Sequence, residues 1–97
     1  MSTNPEDSDR KSVLIVDDHP ITRDGLAALL GREPGLRVSG QAGTAKAALE
    51  ELAREEPDLV LLDLNLPDKD GLELLKDIRA LHPSVPVLAL SMHNEDI

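Results

Sequence analysis

Apolar residues fall along this chain in two alternating rhythms. Short, nearly continuous runs at 12–17 (SVLIVD), 58–64 (DLVLLDL) and 85–91 (VPVLALS) have the pattern of parallel strands covered on both faces. A fourth run at 36–42 (LRVSGQA) alternates more and suits a sheet edge. Between these runs the spacing lengthens to the helical period. In HPITRDGLAALLGRE, Pro20 fits the first helical position and Asp18 or His19 the cap. Ile21, Leu26, Leu29 and Leu30 supply the buried side there, and Gly31 or Gly35 can end the helix. In TAKAALEELAREE, Thr44 is the cap, and Ala45, Ala48, Leu49 and Leu52 recur at i, i+3, i+4 and i+7 before Pro57 closes the helix. In DGLELLKDIRALH, Asp70 and Glu73 have capping-box spacing, Leu74, Leu75, Ile78 and Leu81 form the stripe, and Pro83 follows as a stop.

The order β-α-β-α-β-α-β, at about 25 residues per unit, predicts right-handed crossovers and a parallel sheet with helices on both faces. Residues 1–11 are polar and aperiodic and read as a disordered lead-in, so the ordered domain is expected over 12–97. The run VPVLALS is apolar at both alternating sets and is followed only by MHNEDI. It would lie unpaired along one side if no further strand followed. The sequence therefore reads as a fold lacking its last strand: a fragment of a longer protein, or a chain whose fourth-strand edge is covered by a partner or by self-association into a homodimer.

Composition narrows the function classes. Ninety-seven residues suit one domain with a modest core. Without cysteine there is no disulfide framework, thiolate metal site or thiol nucleophile. No run reaches the roughly 18 apolar residues of a membrane span, and the N-terminus lacks the apolar core of a secretory signal. A soluble, cytoplasmic protein without membrane contact is the expectation. Nineteen acids against ten Lys and Arg give a formal charge of -9, which disfavours direct nucleic-acid contact by this chain. The absence of Phe, Trp and Tyr removes stacking platforms for bases.

The same excess of acids points to the chemistry. VLIVDDHP drives four apolar residues into adjacent carboxylates at Asp17 and Asp18. Like charges about 4 Å apart repel by on the order of 4 kcal/mol at an effective dielectric near 20. Ligands of open parallel α/β sheets gather at the carboxyl ends of the strands, near the point where strand order reverses. Asp17 and Asp18 end the first strand, Asp63 the third and Ser91 the fourth, so four polar side chains should converge on one rim. Three carboxylates without a basic partner call for a hard cation with oxygen ligands, such as Mg²⁺. His19, His82 and His93 show no metal-ligand spacing and read as surface or loop histidines.

The motifs VLIVDDHP, PDLVLLDLNLPDKDGLELL and VPVLALSMHNED, in this order and at this spacing, resemble the receiver domain of two-component response regulators over about residues 12–97. LSMH is similar to the subgroup (NarL/LuxR type) that usually carries a helix-turn-helix DNA-binding effector domain downstream. The resemblance implies a flavodoxin-like (CheY-like) doubly wound sheet, ordered 2-1-3-4 here because the family's fifth strand is missing. It implies phosphoryl transfer from a sensor histidine kinase to Asp63. It also implies Mg²⁺ held by Asp18, Asp63 and the backbone carbonyl of Asn65, with Asp17 acting through water and Ser91 as the switch hydroxyl. The family's fifth-strand lysine and aromatic switch residue have no counterpart in the chain, and Lys69 is not a substitute for the former.

Other function classes fit less well. A haloacid-dehalogenase-type phosphatase wants a second acid two residues after its nucleophile, where Asn65 stands. A calcium-binding EF-hand frame counted from Asp63 puts Pro67 at position five and Asp68 where glycine is needed. A receiver-like interaction module that no longer uses phosphorylation stays open as the alternative.

Overall fold

The computed structural model of the chain describes residues 10–90. Four strands, β1 (Lys11–Val16), β2 (Leu36–Ala42), β3 (Leu59–Asp63) and β4 (Val87–Leu90), alternate with three helices, α1 (Pro20–Gly31), α2 (Ala45–Arg54) and α3 (Gly71–Leu81). All three strand pairings are parallel, and the order across the sheet is β2-β1-β3-β4, as expected. Of the expected lead-in, residues 1–9 lie outside the described residues, whereas Lys11 is already in β1 and pairs with Leu36.

The step from β1 to β2 runs one way along the sheet, and the later steps run the other way. Right-handed crossovers then send α1 to one face and α2 and α3 to the opposite face. The core divides accordingly. Leu14, Val16, Val60 and Leu62 pack with Ala45, Ala48 and Leu52 of α2 and with Leu74 and Ile78 of α3. Val13, Ile15 and Leu61 point the other way, against Leu26, Ala27 and Leu30 of α1. The continuous apolar runs of β1 and β3 are thus strands buried on both sides, with alternate residues serving alternate layers.

The helix faces hold in part. α2 buries Ala45, Ala48 and Leu52, and α3 buries Gly71, Leu74 and Ile78. No residue of α1 is fully buried, and Ile21 and Leu29, expected on its inner side, are 87% and 59% exposed. Leu81 of the α3 stripe is exposed as well. The apolar residues of α1 spread too widely round the helix for one sheet contact to cover them all. β4 was expected to be covered on both faces, but it pairs only with β3 among the described residues, and Leu88 is 52% exposed. Leu88 shares the face of its register partner Leu61, beyond the reach of α1.

Two local devices set the register. β2 carries one extra residue opposite Val13 and Leu14, since Val13 pairs with Val38 and Leu14 with Gly40; the intervening Ser39 turns its Oγ to the Val13 carbonyl at 3.4 Å. At the amino ends of β1 and β3, Asp58 Oδ2 accepts from Ser12 N at 2.7 Å and from Ser12 Oγ at 3.2 Å, while Asp58 N donates to Ser12 Oγ at 3.0 Å. The Ser12 amide holds the Asp58 carboxyl below the usual carboxylate range. A depressed acid stabilises the fold above its unfolded pKa and loses that contribution as pH falls through the folded one. Stability should therefore decline on acidification below about pH 4. In Ser12→Ala the Asp58 titration, followed by carboxyl carbon shifts, should move up toward the ordinary value.

Candidate metal and phosphoryl site

The order of strand addition reverses between β1 and β3, and their carboxyl ends carry the expected acids. Ligand atoms of Asp17, Asp18, His19 and Asp63 all lie within 4.8 Å of one another. Each acid is held by the chain around it. The Asp17 backbone is fixed by Asp17 N to Ala42 O at 2.9 Å and by Arg23 Nη1 to Asp17 O at 2.7 Å. Its buried carboxylate accepts from His19 N at 2.8 Å through Oδ1. Asp63 closes β3 in register with Leu90, and its Oδ1 accepts from Asn65 N at 2.9 Å. Asp63 is only 2% exposed, yet its Oδ2 has no hydrogen-bond partner, and neither has the buried Oδ1 of Asp18. Burial, reinforced by the charges of Asp17 and Asp18 and opposed by the Asn65 amide, raises the Asp63 pKa.

The loop after Asp63 is built to keep these atoms still. Leu64 N donates to Leu90 O at 3.1 Å, Gly71 N donates to Leu64 O at 3.1 Å, and Asn65 pairs with Asp70 in a short antiparallel bridge. The backbones approach so closely that a Cβ on Gly71 would stand 2.4 Å from Leu64 Cα. At its far side, Asp68 bonds the first amides of α2, Ala45 N at 2.9 Å and Lys46 N at 3.2 Å, which lowers its pKa. Thr44 Oγ1 takes Ala47 N and the Thr44 carbonyl takes Ala48 N, so all four leading amides of α2 are satisfied. Lys69 pairs with Asp77 on α3.

Of the expected site residues, Asp17, Asp18 and Asp63 come together, and Asn65 stands beside them through its amide. Ser91 and His93 lie outside the described residues; Leu90, before Ser91, is the register partner of Asp63. His19 is the exposed loop histidine that the sequence suggests, and it also stands over the acids. Its side chain is 62% exposed, but Nδ1 lies 3.0 Å from Asp17 Oδ1, 3.0 Å from Asp18 Oδ1 and 3.8 Å from Asp63 Oδ2. The hydrogen bond to Asp17 and the charge of Asp18 raise its pKa. The signal was the tetrapeptide DDHP: Pro20 starts α1, which leaves His19 at the extended N-cap where its ring can fold back over the acids.

Residues 13–97 match the family described as the response regulator receiver domain. This chain belongs to that family. It is 38% identical over 88 residues to the nitrate/nitrite response regulator protein NarL of Escherichia coli K12, covering 89% of this chain and 41% of NarL. It is 44% identical over 79 residues to a protein-glutamate methylesterase/protein-glutamine glutaminase of Anaeromyxobacter dehalogenans, covering 81% of this chain and 22% of that protein. The crystal structure of a LuxR-family two-component response regulator from Aurantimonas superposes with a TM-score of 0.82 at 35% identity, covering 88% of this chain and 61% of the other. The receiver domain is thus of NarL/LuxR type, and the chain spans from about a fifth to two fifths of the curated relatives named above. Among the described residues, no helix is long and apolar enough to cross a membrane.

Two outcomes follow from the crowding at this receiver's acidic rim. An acid whose folded pKa is raised makes the fold less stable as pH climbs past its ordinary value. Asp63→Asn should therefore stabilise the metal-free domain at pH 7 by about 1–4 kcal/mol, the range for one like-charge contact near 4 Å between bulk water and an effective dielectric near 20. Urea unfolding of the two proteins reads the difference. Gly71→Ala should act in the opposite sense, by about 1–3 kcal/mol, because backbone rather than a flexible side chain must give way.

Proposed function

We propose that this receiver domain is a phosphoacceptor: Asp63 takes a phosphoryl group from a phosphohistidine of a sensor histidine kinase, with Mg²⁺ at the acidic rim. The observation that carries the proposal is the buried, unpartnered Oδ2 of Asp63 facing two further carboxylates. The donor set fits a hard dication, since oxygen atoms dominate it and an orphaned carboxylate oxygen this deep otherwise lacks compensation. Asp18 and Asp63 would hold the ion with the Asn65 carbonyl, and Asp17 would act through a water. An ion held there would supply charge neutralisation for the incoming phosphoryl oxygens, with the Asp63 carboxylate as the nucleophile.

In the transfer, an Asp63 carboxylate oxygen forms the new bond to phosphorus as the bond from phosphorus to the histidine nitrogen breaks, and that nitrogen keeps the electron pair. Asn65 N holds Oδ1 during the approach, while the short loop closed by Gly71 prevents the carboxylate from swinging away. The product carries nearly two added negative charges and new acceptor oxygens. Ser91, one residue beyond the register partner of Asp63, is the hydroxyl we assign to bind them and report the change. The NarL/LuxR-type relatives support a downstream DNA-binding effector domain as the recipient in the whole protein, working in the cytoplasm. This domain, residues 12–97, would itself be the signalling element rather than a turnover enzyme. Among the described residues no strand pairs with the outer edge of β4, which supports contact with a further strand or a second copy.

Treatment of the chain with a small phosphodonor and Mg²⁺ should add one acid-stable, base-labile phosphoryl group by intact mass. The adduct should vanish in Asp63→Asn. An adduct that survives this substitution would place the acceptor elsewhere, and no adduct on a chain that binds Mg²⁺ would favour the phosphorylation-independent interaction module.

A further inference from the structure

His19 is the one member of the cluster that the phosphoacceptor chemistry does not use. Two ligands on a common ion at about 2.1 Å stand about 3.0 Å apart when their bonds meet at right angles. His19 Nδ1 lies at that separation from both Asp17 Oδ1, with which it shares a hydrogen bond, and Asp18 Oδ1. Its contact with Asp18 lacks hydrogen-bond alignment, for Asp18 Oδ1 remains without a partner, as does the deeply buried Oδ2 of Asp63. The ring is steadied from behind by its own backbone: His19 N is tied to Asp17 Oδ1, and the next residue is the proline that opens α1.

Building on the metal site proposed above, we propose that His19 Nδ1 is a direct ligand that lets this receiver bind borderline first-row dications, Co²⁺, Ni²⁺ and Zn²⁺, in competition with Mg²⁺. The physical basis is ligand softness. Mg²⁺ takes oxygen and gains little from an imidazole, whereas imidazole suits Zn²⁺ and Ni²⁺, and affinity for a mixed nitrogen and oxygen site rises along the first row. Three carboxylates alone would discriminate weakly; one correctly placed nitrogen shifts the balance. Asp17, which would meet Mg²⁺ only through water, also gains a direct role in this arrangement, because its Oδ1 already sits beside Nδ1.

The test uses Co²⁺ alone as the probe on the whole chain, followed by its visible absorption and by nitrogen-15 shifts of the His19 ring. A parallel Mg²⁺ titration is followed by amide shifts around Asp18 and Asp63. His19→Ala should weaken Co²⁺ binding at least about 10-fold, since loss of a mere outer-shell partner already costs a metal site that much. Mg²⁺ affinity should stay within about twofold, which also shows that the variant is folded. Unchanged Co²⁺ affinity, or His19 ring shifts unmoved by the metal, would overturn the proposal. So would tighter binding of both ions by His19→Ala, the sign of an imidazolium that merely occupies the ion's place. Mg²⁺ binding that is intact beside such a result leaves the phosphoacceptor reading standing. A His19-dependent Co²⁺ site that ignores Mg²⁺ would overturn the competition proposed here and remove Mg²⁺ from that reading.

Discussion

Convergence of like charge at the carboxyl rim of the sheet is the constraint on which the rest of this structure depends. Asp17, Asp18 and Asp63 are drawn together by two central strands whose apolar residues are buried on both faces, and hydrophobic burial is what keeps the acids from separating. A fully buried aliphatic side chain contributes about 1.5–3 kcal/mol. Several such residues in β1 and β3 outweigh one close carboxylate repulsion. The core thus maintains a local electrostatic stress of the kind a cation would relieve.

That stress is confined by short-range hydrogen bonding rather than by salt bridges. Asn65 N and His19 N each neutralise part of one carboxylate, and Arg23 holds the Asp17 carbonyl rather than its side chain. Lys69, in the loop after Asp63, is committed to Asp77, while Arg37 and Arg54 lie toward the opposite end of the sheet, paired with Glu55 and Glu51. Among the described residues only the imidazole of His19 enters the cluster, and it does so from the solvent side. The rim therefore keeps an unpartnered carboxylate oxygen available, which a structure optimised for stability alone would have paired.

The loop from Leu64 to Asp70 ties this rim to the helices. One end is pinned to β4 through Leu64 N, the middle to α2 through Asp68, and the last turn to α3 through Asp70, whose carboxylate caps Leu72 N at 2.9 Å. A change of charge at Asp63 is thus felt by three elements within one loop length. The close approach of Gly71 to Leu64 leaves no slack to absorb it locally.

Much of this was legible in the residues themselves. Strand runs, helix caps at Thr44 and Asp70, and the alternation of elements follow from local periodicity and side-chain reach, and they lead to the sheet order because right-handed crossovers leave few alternatives. The three acids could be placed on one rim for the same reason: each terminates a strand. The failures were of another kind. Ile21, Leu29 and Leu81 fit a helical stripe, but how much of a stripe is covered depends on the width of the surface opposite, and one face of the sheet has α1 alone among the described residues. His19 has no spacing signature, since its approach to Asp63 crosses more than forty positions of sequence and exists only once β1 and β3 lie side by side. The sequence by itself determined which residues form strands and helices and that acids must end the central strands, because those are consequences of local pattern and burial. Only the tertiary structure decided which carboxylate oxygen stays unpartnered and which imidazole faces it, because those depend on distances between segments that the chain order does not encode.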